Sequence, residues 1–139
     1  MTFATMQNKF TGEHIVGILG AAQIDIYGNL NSTVIGDYYE PAVRFSGSGG
    51  ACDVASFVSR TIIFMKQEKR KFKIKLDYLT SPGSKQMFLK GYYPGITPDE
   101  ILENMEFEID ISRAQEVLAP TSNELELLRE KCDPQRLIL

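Results

Sequence analysis

Apolar and polar positions recur with different periods along this 139-residue chain, and the changes of period predict its elements. Ile15-Val16-Gly17-Ile18-Leu19-Gly20 is a short apolar run, rich in β-branched residues and closed by glycine, which predicts a strand buried on both faces of an α/β sheet. A second strand is expected from Ala21 onward, then a tight turn at Tyr27-Gly28-Asn29 and a returning strand over Ser32-Thr33-Val34-Ile35. Pro41 marks a boundary ahead of Ala42-Val43-Arg44-Phe45. A glycine-rich loop follows at Ser46 to Gly50, with a helix from Ala51 to Arg60 and the next buried strand from Thr61 to Met65. Phe72 to Tyr78 alternates strictly between apolar and charged residues, the mark of a strand with one wet face near a sheet edge. Pro98 to Met105 predicts a helix, because Thr97 is placed to cap it, proline takes the first helical position and early carboxylates face the dipole. Phe107 to Ile111 alternates as a strand, and Thr121 with Glu124 forms a capping box for a last helix.

Composition narrows the class. At 139 residues and 43% hydrophobic, the chain supports one core, so a single domain over residues 1–139 is expected. A net charge of -3 argues against a general nucleic-acid binder. The longest apolar run, Ile15 to Ala22, is too short to span a membrane, and Met1 to Phe10 has no signal-peptide pattern, so a soluble cytoplasmic protein is expected. Cys52 and Cys132 are far apart and read as free thiols. His14 has only Glu13 beside it at metal-ligand spacing, which predicts no metal site.

The richest candidate chemistry lies between Ala21 and Ser56, in the order strand, turn, strand, glycine loop, helix. Gly47, Gly49 and Gly50 permit a sharply turned backbone, and the helix they open adds partial positive charge, so an anion or a developing oxyanion would be stabilised there. Taken alone, such a loop is more often a plain strand-to-helix turn. Asn29, beside glycine, reads as a turn residue, whereas Asn31 lies past the turn and is open to a substrate hydrogen bond. Gln23 and Asp25 are polar groups at a strand end and neighbours of the same region. Cys52 at a helix start suits a thiolate, but a nucleophile there needs a base, so it reads as a small helix residue. Asp53 strengthens the helix start, and Glu40 falls on an exposed loop beside Pro41. Lys66, Lys69, Arg70, Lys71, Lys73 and Lys75 read first as a solvated, lysine-guarded edge, and second as an attraction for the phosphates of a nucleotide-bearing cofactor.

Residues 23–33 (Gln-Ile-Asp-x-Tyr-Gly-Asn-x-Asn-Ser-Thr), 34–38 (Val-Ile-Gly-Asp-Tyr) and 47–53 (Gly-Ser-Gly-Gly-Ala-x-Asp) occur in this order. So do Leu79 to Gly83, Pro94 to Thr97 and Leu-Arg-Glu-x-x-Asp-Pro at 128–134. Together they resemble the B-type half of CoA-transferases of the glutaconate class. The resemblance implies a three-layer α/β fold with a mostly parallel sheet, similar to half of a CoA-transferase and incomplete at its N-terminal side. It implies coenzyme A as carrier, an acyl-CoA and a carboxylic acid as substrates, and an A-type subunit or a second copy as partner. In that family the matching loop borders the active site, so backbone N–H groups of Gly47, Gly49, Gly50 and Ala51 would hold the thioester oxygen, with Gly49 and Gly50 against the coenzyme and Asn31 and Gln23 nearby. A glutamate attacks the acyl-CoA to give a mixed anhydride, takes up CoA as a glutamyl thioester and returns it to the acceptor acid.

Two departures accompany the resemblance. The family's glutamate motif of the Glu-x-Gly kind, well upstream of Gln-Ile-Asp, has no counterpart between Met1 and Gly20, so the catalytic residue is unassigned. A longer glycine-containing insertion is also missing after Gly83, where Ser84 to Leu89 follow at once. Two other readings stay open: a subunit of a CoA-thioester hydrolase or ring-opening enzyme without the usual glutamate, and a non-enzymatic interaction module on the same scaffold. An abridged sheet is expected to expose apolar surface and to associate with itself or another chain.

Overall fold

A computed structural model describes residues 14–135. Five strands, β1 (Val16–Leu19), β2 (Gln23–Ile24), β3 (Leu30–Asn31), β4 (Val34–Gly36) and β5 (Pro41–Arg44), precede helix α1 (Ala51–Phe57) and strand β6 (Arg60–Ile63). Strand β7 (Gly91–Tyr92), helix α2 (Pro98–Glu103), strand β8 (Gln115–Glu116) and helix α3 (Ser122–Glu126) follow, and a π-helical turn over Leu127–Cys132 continues α3.

The fold is mixed α/β, assembled from short strand pairs. The first apolar run pairs in parallel with the strand after α1, in register from Val16 opposite Arg60 to Leu19 opposite Ile63. Helix α1 is the crossover of this unit and packs on one face of the pair, as a parallel connection requires. Gly17 lets it come close: a Cβ there would lie 2.3 Å from Val54 Cγ1. The opposite face carries Val16, Ile18, Ile62 and Phe64, with Ile18 72% and Phe64 71% exposed. The expected burial on both faces is thus met on one face only among the described residues.

Between β1 and α1 lie two antiparallel pairs. β2 and β3 match Gln23 with Asn31 and Ile24 with Leu30, and β4 and β5 form a hairpin with a bulge between Ile35 and Gly36. Isolated bridges tie Ile24 to Phe72 and Leu30 to Ser81, so the later chain is stitched onto β2 and β3. Among the described residues the buried apolar side chains are Ile24, Leu30, Val34 and Met105.

Several expectations shift. The helix expected to reach Arg60 stops at Phe57, because Arg60 already belongs to β6. The alternating segment Phe72 to Tyr78 is no edge strand: only Phe72 bridges, while Asp77 is drawn toward Gln23 and Gly36, and Lys73 pairs with Glu106. Phe107 to Ile111 contributes a single bridge, Asp110 to Phe88. The capped helices appear as expected. Thr97 with Glu100 and Thr121 with Glu124 both complete capping boxes, so side chains satisfy N–H groups that a helix start leaves open.

Candidate functional site

The polar residues between β1 and α1 separate into a closed set and an open set. In the turn after β2, one Asp25 carboxylate oxygen accepts the N–H groups of Tyr27 (2.9 Å) and Asn29 (3.0 Å), and the other accepts Asn29 Nδ2 (2.8 Å). Asn29 Oδ1 in turn accepts the Gly83 N–H at 2.7 Å. Asn29 therefore builds the turn, as its place beside glycine predicts. The contact with Gly83 is so close that a Cβ there would meet the Tyr27 carbonyl oxygen at 2.0 Å.

Asn31 is completely buried. Its Nδ2 donates to Gln23 Oε1 and to the Val34 carbonyl, both at 2.7 Å, while its Oδ1 accepts from Thr33 and Val34 N–H. Gln23 Nε2 donates to Asp77 Oδ2 at 2.8 Å, and the Asp77 N–H returns a bond to Gln23 Oε1. Thr80 Oγ1 accepts the Ser32 N–H at 2.9 Å and shares a hydrogen bond with Thr33 Oγ1. Gln23 and Asn31 are thus brought together with each other, inside a network of internal bonds. Asp77 and Thr80 are members of it; Thr80 falls in the Leu79 to Gly83 segment, but the sequence singles out neither residue as a partner of this region.

The glycine loop behaves differently. Gly47 (φ 85°) and Gly49 (φ 51°) hold left-handed conformations that a Cβ disfavours, and open space surrounds both. Gly50 stands at the N-cap of α1 without a side-chain cap, and Asp53 lies in its first turn. The Ala51 N–H is taken by the Ser48 carbonyl at 2.6 Å, and the Gly50 carbonyl accepts from Val54. Among the described residues, nothing accepts from the N–H groups of Gly47, Ser48, Gly49 or Gly50. Of the loop amides singled out from sequence, Ala51 is thus engaged and the glycines are open.

A cavity of about 640 Å³ adjoins this loop through Phe45 and Ser46. Gly20, Ala21 and Ala22, just beyond β1, form another wall, and Ser32, Ile35 and Val43 come from the strands between. Arg70 and Lys71 complete it, so two of the six clustered bases reach the cavity, although their pattern in the sequence places the cluster first on a solvated edge. Ion pairs engage three of the six: Lys66 and Arg70 both meet Glu68, and Lys73 meets Glu106. The Lys66 and Arg70 partners hold the Glu68 carboxyl below the ordinary range, and Lys73 does the same for Glu106.

The remaining candidates sit apart. Cys52 is half-buried in α1, Cys132 is exposed, and both are free thiols. Glu40 is exposed in the connection between β4 and β5, where the sequence put it. Arg44 donates to the Tyr38 carbonyl and lies over that ring at 4.8 Å from its centroid. Among the described residues, no cluster of His, Cys, Asp and Glu could hold a metal ion, and no helix is long and apolar enough to cross a membrane.

Residues 3–87 match the model of the Coenzyme A transferase family. The B-type chain of glutaconate CoA-transferase from Acidaminococcus fermentans is 40% identical over 154 positions, which take in 86% of this chain and 58% of that protein. The B-type chain of 3-oxoadipate CoA-transferase from Pseudomonas knackmussii is 34% identical, over 82% of this chain and 57% of its own length. The crystal structure of glutaconate coenzyme A-transferase from Acidaminococcus fermentans superposes with a TM-score of 0.88 at 36% identity, covering 97% of this chain and 65% of that one. The chain thus spans less than two thirds of the relatives it matches. The first alignment is longer than the 139 residues of this chain, so that relative carries residues within the matched span that this chain lacks.

Proposed function

The chain belongs to the coenzyme A transferase family, and from that footing we propose that it serves as a B-type component of an assembly moving CoA between an acyl-CoA thioester and a carboxylic acid. The observation that carries this reading is the glycine loop, with two left-handed glycines and four N–H groups that meet no acceptor among the described residues, next to a cavity lined by Ser46 at the start of the loop. Amides fixed in place before the reaction stabilise charge where it develops on the thioester oxygen, without reorganising at the moment of attack. Gly47, Gly49 and Gly50 would supply this oxyanion site, with Gly49 and Gly50 against the coenzyme. Ala51 would act by closing the turn onto Ser48. Gln23 and Asn31 would serve as the scaffold under Ser32, which itself lines the cavity. The nucleophilic carboxylate would come from another part of the assembly, and an A-type subunit is the partner this reading requires. The uncovered face of Val16, Ile18, Ile62 and Phe64 supports association with a further chain segment or subunit.

The test is reconstitution of the full chain with an A-type subunit of a CoA-transferase, followed by transfer of CoA from an acyl-CoA to an added carboxylate. Gly49→Val, which puts a β-branched residue at a left-handed position in open space, is expected to cut kcat by about 10²-fold, the scale of losing one oxyanion donor. An assembled complex that neither binds coenzyme A nor turns over would overturn the reading. Release of free CoA without any acceptor acid would replace transfer by hydrolysis at the same loop.

A further inference from the structure

The cavity beside the glycine loop has neutral walls except at one place. Among the described residues no carboxylate lines it, and the charged residues of its lining are two neighbours, Arg70 and Lys71. Lys71 is fixed by its backbone: its carbonyl accepts the Ile24 N–H at 2.7 Å and its own N–H donates to the Glu68 carbonyl at 2.8 Å. Its ammonium has no ion-pair partner among the described residues. Arg70 donates from Nε to Glu68 at 2.6 Å, which leaves the outer edge of its guanidinium available. Lys71 is half-buried and Arg70 is exposed at the cavity's edge beside Glu68, so the two adjacent cations raise the potential at that end of the cavity.

We propose that Arg70 and Lys71 are specificity-determining residues that bind a second anionic group of the ligand whose reacting carbonyl is held at the glycine loop. The inference rests on the function proposed above and extends it. A ligand with one electronegative end at the loop and a further anion at the bases fits a cavity that touches both Ser46 and Lys71. The anion is either a phosphate of coenzyme A or a distal carboxylate of the acyl group. Arg70 offers a planar fork and Lys71 a point charge, and both chemistries suit either oxyanion.

Calorimetry on the full chain assembled with an A-type subunit separates the sources, using coenzyme A against pantetheine and glutarate against valerate. The double variant Arg70→Gln, Lys71→Gln is expected to weaken one probe of a pair by about tenfold or more and leave its partner unchanged, as loss of charge-assisted hydrogen bonds predicts. Selective loss for coenzyme A identifies the phosphate, and selective loss for glutarate identifies the carboxylate. Lys71→Glu should deepen the same loss, with thermal unfolding as a check that the chain still folds. Unchanged affinity for every probe, or an equal loss for all four, overturns the assignment while leaving the glycine-loop reading intact. A wild-type assembly that binds none of the probes overturns the loop reading and this inference with it.

Discussion

Residues 23–36 and residues 45–51 are built from the same small polar vocabulary, yet they end in opposite states. In the first, Asp25, Asn29, Asn31 and Gln23 direct their polar atoms at one another, at nearby backbone, and at Asp77 and Gly83. In the second, Gly47 and Gly49 hold left-handed turns in open space, and the glycine amides meet no acceptor among the described residues. The difference teaches that residue type marks where polar chemistry is concentrated, whereas hydrogen bonds not made within the protein mark where backbone groups stay open to water or to the ligand proposed above. A satisfied network fixes geometry; an unsatisfied, exposed loop retains binding capacity.

The sharpest way to break this contrast is to add a single methyl group in each region. Gly83→Ala places a carbon 2.0 Å from the Tyr27 carbonyl oxygen and 2.6 Å from the Asn29 nitrogen, both backbone atoms that cannot swing aside. It is expected to cost about 3 kcal/mol or more, the upper range for overpacking, read as a lower urea midpoint. The next largest effect is Asn31→Ala, which strips a donor from the Val34 carbonyl and an acceptor from the Thr33 N–H at a fully buried position. A loss of about 2–4 kcal/mol is expected from buried groups left unpaired, again by urea unfolding. Gly47→Ala meets no atom within 4 Å and carries only the strain of a left-handed backbone, about 1 kcal/mol. Its larger effect should fall on coenzyme A binding. Should Gly47→Ala destabilise the chain as much as Gly83→Ala does, the two regions would not differ in the way argued.

Much of this was legible beforehand, and the exceptions share a physical cause. The apolar run before Gly20, the turn at Gly28, the helix after Gly50 and both capping boxes follow from local rules, because the chemistry that makes them lies within a few residues. The alternation at Phe72 to Tyr78 read as an edge strand because alternation records two faces without naming a partner. Lys73 and Asp77 found partners 33 and 54 residues away, at Glu106 and Gln23. The short strands β7 and β8 pair over two residues each, too few for any period to show. The glycine turn at Ser46 to Gly50 was readable from its residues, while Lys71 comes to line the cavity beside Ser46 through a bond from the Ile24 N–H to its carbonyl that no local pattern encodes.

Acidification should act on a third kind of place, outside both regions, and produce the smallest effect. Glu100 and Glu124 have lowered pKa values because each accepts the backbone N–H of its capping threonine and then that threonine's hydroxyl. Glu68 and Glu106 are lowered by lysine and arginine neighbours, and Asp110 by Ser112. A carboxyl that holds its proton less tightly when folded than when unfolded makes the unfolded chain bind more protons between the two values, so stability rises with pH through that window. The contribution is complete above the ordinary glutamate value of 4.5 and is lost as pH falls through the depressed folded value. Because these groups face water, the loss is modest and salt-screened. The melting temperature should hold level from neutrality and decline below about pH 4.5. Thr97→Ala, which itself removes about 1 kcal/mol of capping, should flatten only part of that decline, because it removes the hydroxyl bond to Glu100 and keeps the backbone N–H that lowers its pKa most. A decline that survives in Glu100→Gln and Glu124→Gln together would move the acid sensitivity to the pairs of Glu68 and Glu106. One beginning well above pH 5 would point to a group in neither set.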